Sequence, residues 1–144
     1  MARSSIWGRH VFATTQLINI NVAFPDVCKT PTPAGPVPLP YPNLAPSMTH
    51  IPVVINIFIG GGMAHNLLTI APTSTGDEAG VVGGVLDSVI KGISLYLLGS
   101  FKVIYGVAPA ARTTSPTLQN CAGVVPNTAG AALIPSQVKV LLLG

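Results

Sequence analysis

Between Thr30 and Pro46 the chain reads TPTPAGPVPLPYPNLAP, with seven prolines in 17 residues. Proline fixes φ and has no N–H, so this density excludes a helix and excludes a central strand. The segment must run extended, in a polyproline II-like path. Val37, Leu39, Tyr41 and Leu44 are interleaved with the prolines. That pattern favours a stiff segment laid across the body of its own protein over a ligand for a proline-binding domain.

Composition narrows the choice further. Charged residues make up 8% of the 144, where an ordinary soluble domain has about 25%. There is one Glu, and Gly (15) and Pro (14) are abundant. A helical bundle needs the reverse. Disorder needs high charge and low hydrophobicity, whereas 49% of this chain is hydrophobic. The net charge of +3 comes from scattered residues, so the basic pI of 9.1 does not mark a nucleic-acid surface.

No apolar stretch reaches the roughly 20 residues of a membrane-spanning helix. The best, Ile51 to Ile59, is broken by Pro52 and Asn56. No secretory leader is recognisable, and two cysteines, Cys28 and Cys121, do not make a disulfide framework. A cytoplasmic origin with reduced thiols is expected. So few charges also predict that part of the surface is covered by a partner.

The pattern along the chain is one of short strands and turns. Residues 1–12 read as an N-terminal arm and 13–144 as one domain. Alternation at Leu17 to Val22 predicts a strand that ends at Pro25-Asp26. Strands are also predicted at Val53 to Ile59, Ser100 to Tyr105 and Gln137 to Leu143. Val85, Val89 and Ile90 allow a short helix over 85–91. An internal echo appears at an offset of 46: Ile57-Phe58-Ile59-Gly60 falls on Val103-Ile104-Tyr105-Gly106, and Thr69 on Ser115. It predicts two similar hairpins around a common core.

Enzyme chemistry finds little footing. No nucleophile elbow surrounds Cys28, and Gly60-Gly61-Gly62 lacks the Lys-Ser/Thr of a phosphate loop. The acids Asp26, Asp77, Glu78 and Asp87 are too few for paired-carboxylate chemistry to be read from them. Asp77, beside Gly76, reads as turn chemistry. Arg112 could pair with a lone acid such as Asp77.

Five segments in order resemble the PAAR-like family: Phe24 to Asn43, Gly60 to Asn66 (GGGMAHN), Gly76 to Val85, Gly99 to Asn120 with a literal Pro109-Ala110-Ala111-Arg112, and Pro135 to Gly144. The resemblance spans residues 13–144. It implies a small all-β cone of short hairpins with at most one short helix. It implies a non-enzymatic tip that caps the homotrimeric spike, of the VgrG or phage gp5 kind, of a contractile injection system such as type VI secretion. One copy would sit on each trimer, carry effector or toxin cargo as separate chains, and touch the target membrane transiently. It would be made in the bacterial cytoplasm and expelled on contraction. A monomer on a trimer meets three equal surfaces with three different faces, and the internal echo supplies part of such a match.

The wider family also implies one structural zinc. Cys28 and His65, which lie in the matching segments, are the expected ligands, with Cys121 and then His50 next. This chain departs from a His-rich tip. The alternative function is a surface- or carbohydrate-binding β module, which would need exposed aromatics.

Overall fold

The computed structural model describes residues 11–143. It is all-β. Among the described residues twelve strands run in order: β1 (Val11–Phe12), β2 (Ile20–Thr30), β3 (Val37–Pro46), β4 (Val54–Ile59), β5 (Gly62–Ala64), β6 (Ile70–Ala71), β7 (Ile93–Tyr96), β8 (Ile104–Tyr105), β9 (Ala108–Pro109), β10 (Pro116–Ala122), β11 (Val125–Ala132) and β12 (Leu141–Leu142). A single 3-10 turn, Ser47–Thr49, follows β3. Among the described residues no helix is long and apolar enough to cross a membrane.

Six strands form one antiparallel sheet in the order β3-β2-β11-β10-β7-β6. The proline run supplies its edge. Thr30 pairs with Val37 and Ile20 with Pro46, so β3 lies along the whole of β2. Leu44 turns its backbone away from β2, exchanging hydrogen bonds of 2.8 Å with Thr75. Strand alternation then puts Pro38, Pro40, Pro42 and Pro46 on the same outer side, where no ladder donor is required. The extended path is as expected, but it is an edge strand, and Val37 and Leu39 remain exposed. Asn43 and Ala45 are the residues it buries.

Other expectations need correcting. β2 passes through Pro25-Asp26 by a register shift between Ala23 and Asp26. Residues 85–91 form no helix. Ser88 and Lys91 have φ of 59° and 54°, and the Leu86 amide donates to Asn127 Oδ1 at 2.9 Å. Of the expected arm, Val11 and Phe12 belong to the fold as β1; the remaining ten residues lie outside the described ones.

The echo is real and incomplete. β4–β5 and β8–β9 are matching hairpins: Ile59 pairs with Gly62 as Tyr105 pairs with Ala108. A third copy is made by the two ends of the chain, where Leu142 of β12 pairs with Val11 of β1. The residues after the inner strands form a closed ring. Thr14 N–H donates to Ala111 O (3.1 Å), Ala111 N–H to His65 O (3.0 Å), and His65 N–H to Thr14 O (3.1 Å). Bridges Ala13–Arg112, Thr15–Ala64 and Asn66–Ala110 repeat the same cycle. Inside sit six equivalent core residues in two layers: Ala13, Ala64 and Ala110, then Ile59, Tyr105 and Leu142. One end of the molecule therefore has pseudo-three-fold symmetry. From it the long sheet leads away; eleven-residue β2 alone spans roughly 36 Å.

Candidate functional site

Two kinds of site can be built: the three-hairpin end, and two buried polar clusters above it.

Each hairpin of the end turns its alternate residues outward. Phe58, Ile104 and Leu141 are ladder equivalents and are 68%, 64% and 50% exposed. Three residues earlier in the sequence stand Ile55, on β4, and Phe101 and Val138, which precede β8 and β12 outside any strand; all three are exposed, and the strands expected from Ser100 and Gln137 begin only at Ile104 and Leu141. Large apolar groups in water are unremarkable singly. Two sets of three, repeated in the three hairpins, make this end the candidate interaction surface. The backbone there is held rigidly. Ser100 Oγ accepts from the amides of Lys102 (3.2 Å) and Val103 (3.1 Å), and Gln137 Oε1 accepts from Lys139 (2.7 Å) and Val140 (2.8 Å).

The first polar cluster gathers around Cys28, well along β2 from the ring. Its Sγ lies 3.8 Å from Asp26 Oδ1 and 3.9 Å from Asp77 Oδ2. All three residues are fully buried, and their ligand atoms lie within 4.8 Å of one another. Asn43 Nδ2 donates to Asp26 Oδ2 at 3.0 Å, and Asn127 Nδ2 donates to Asp26 Oδ1. The Lys91 amide donates to both Asp77 oxygens, at 3.2 and 3.0 Å. Asn120 Nδ2 reaches the sulfur at 3.6 Å. Burial, with Asp26, Asp77 and Asp87 nearby, pushes the thiol up to about 12. Burial also raises Asp77. Gly80 leaves no room for a side chain, since a Cβ there would overlap Cys28 Cβ.

A thiol and two carboxylates at this spacing fit a divalent cation of the zinc type, which takes S and O donors at 2.0–2.3 Å. Asp26, Cys28 and Asp77 would hold it. Such an ion would displace the thiol proton and neutralise carboxylates that have no lysine or arginine partner here. The one ion pair among the described residues is Lys91–Glu78, 3.8 Å and exposed. Arg112 therefore does not pair with Asp77.

The second cluster holds His65. Its ring stacks on His50 with centroids 5.2 Å apart. The Tyr96 hydroxyl lies 3.2 Å from His65 Nδ1 and 3.5 Å from His50 Nδ1. Both imidazoles are fully buried, and their Nε2 atoms have no partner among the described residues. Burial lowers His50 to about 4 and His65 to about 3. So Cys28 and His65 occupy separate clusters: His65 follows β5 beside the ring, and Cys28 lies toward the other end of β2. Cys121 is buried on β10 as a free thiol. Asp26 as a partner of Cys28 was missed. Its signal was an acid on an alternating apolar stretch, where burial requires pairing.

The fold, the ordered motifs and the proline edge converge on one family. The toxin PAAR-like domain model matches residues 19–126. The chain belongs to the PAAR-like family. No curated protein and no solved structure matches it. Membership in a PAAR-like family supports, in general terms, a toxin-associated or spike-tip role.

Proposed function

We propose that this PAAR-like protein is the tip of a contractile injection spike, docked as one copy through its three-hairpin end on a homotrimeric spike protein. The pseudo-three-fold ring carries the reading. A single chain can satisfy a three-fold surface only by offering the same contacts three times, and here the ladder, the core and two exposed apolar sets are all triplicated. The large apolar groups would anchor the complex, as buried interface cores do. The opposite end, where the β2–β3 and β10–β11 turns lie, would lead. The role is mechanical rather than catalytic, with effector cargo carried, a start in the bacterial cytoplasm and expulsion on contraction. Asp26, Cys28 and Asp77 would hold one structural zinc in the body of the tip.

Native mass spectrometry of the protein mixed with the trimeric spike proteins of its source organism tests this. The expected result is one copy per trimer, lost in the Phe58→Glu/Ile104→Glu/Leu141→Glu variant, with one zinc whose loss follows Cys28→Ala. Three copies per trimer, or no complex between folded proteins, would overturn the docking; a complex without metal would overturn the zinc alone.

A further inference from the structure

Resting on that docking reading, we infer that the spike surface receiving this end presents a ring of carboxylates, one per subunit, and that Lys102, Lys139 and Asn56 meet them at three equivalent positions.

The three residues occupy the same place in the three hairpins, three positions before the core residues Tyr105, Leu142 and Ile59. All three are exposed. Lys102 and Lys139 leave from matching backbone, each with its amide held by the side chain two residues earlier, Ser100 or Gln137. Neither has an acidic partner. All four acids of the chain lie elsewhere, at Asp26 on β2 and at Asp77, Glu78 and Asp87 between β6 and β7. Among the described residues the three-hairpin end thus carries Lys102, Lys139 and Arg112 and no acidic side chain.

These lysines stand among the two apolar sets that docking would bury. An ammonium brought into such a surface loses water and needs an anion there. A three-fold partner presents whatever it has three times over. A ring of carboxylates satisfies both lysines at once; a ring of cations would repel both. Asn56 offers the third carboxylate a hydrogen bond without a charge. The apolar sets then supply adhesion, and the ring rejects partners of the wrong sign.

The test uses the purified protein and the trimeric spike proteins of its source organism, titrated at 50 and 500 mM NaCl. Lys102→Gln and Lys139→Gln should each weaken binding about two- to five-fold, by the same factor, as expected for a partly exposed ion pair. Asn56→Lys should strengthen binding by a similar factor, and all three differences should shrink at high salt. Melting temperatures of the three surface variants should match the parent. If the parent binds and Asn56→Lys is neutral or weaker, the carboxylate ring is wrong and the docking stands. If the parent forms no complex at either salt, the docking itself is wrong. If, in addition, phosphatidylglycerol vesicles bind the protein and bind Asn56→Lys more tightly, the cationic end belongs to a lipid surface and the ring is overturned.

Discussion

His50 and His65 stack 5.2 Å apart with only a tyrosine hydroxyl between their Nδ1 atoms. The pair is tolerable only while both rings are neutral. Their folded values, about 4 and about 3, lie below the 6.5 of a free imidazole. The unfolded chain therefore binds more protons between these limits, and stability rises with pH there. The contribution is complete above about 6.5 and is lost as pH falls toward 4, at up to about 1.4 kcal/mol per pH unit for each ring. Asp77 and Asp87 are raised and act in the opposite sense, over the lower part of the window. The melting temperature should thus fall between pH 7 and pH 5, and His50→Phe should flatten that fall; a parent curve that is flat over this range would contradict the pairing. The sequence marks Cys28, His50 and His65 as residues of interest; the structure sets Cys28 beside Asp26 and Asp77, and His65 beside His50. Asp26 stands two residues before Cys28 on the same strand, but Asp77 is distant in the sequence, and which buried polar groups meet across segments depends on how they pack together.

At the scale of the element, the prolines of β3 do more than stiffen it. An edge strand ordinarily exposes N–H groups that can pair with another chain. Here Pro38, Pro40, Pro42 and Pro46 remove those donors from the outer side while the inner side keeps its ladder to β2. Replacing Pro38, Pro40 and Pro42 by threonine should leave the monomer fold in place and promote self-association, seen as a concentration-dependent shift in size-exclusion chromatography; a variant that stays monomeric at high concentration would refute the edge-blocking role. The extended course of this segment was legible because proline restricts the backbone locally. β10 and β11 were not legible. Their sequences, PTLQNCA and VPNTAGAA, lack an apolar alternation, since β10 buries Thr117, Gln119 and Asn120. The helix expected over 85–91 failed because Asn127 and Asp87 capture its amides in a turn.

Across the whole molecule, one hairpin of the ring has no covalent turn. Gly60-Gly61 joins β4 to β5 and Gly106-Val107 joins β8 to β9, but β12 and β1 meet only by pairing. The 46-residue offset was legible because both of its copies are contiguous. The third copy was hidden because its two strands stand at opposite ends of the sequence. A circular permutant that links Leu142 to Val11 through Gly-Gly and opens between Gly106 and Val107 should fold to the same sheet, with a similar melting temperature and unchanged spike binding. Loss of folding in that permutant, with its composition otherwise kept, would show the three hairpins not to be equivalent.

That missing turn also sets an order of events. During synthesis Val11 emerges long before Leu142, and the two other hairpins are made between them. Strands so far apart in the sequence must close a very long loop when they pair. A nascent chain halted before Leu141 could build the long sheet and two hairpins, but would offer a spike only two of its three contacts. Completion of the docking end therefore waits for β12, and a partner that requires all three contacts would discriminate tips with a closed ring from tips without one.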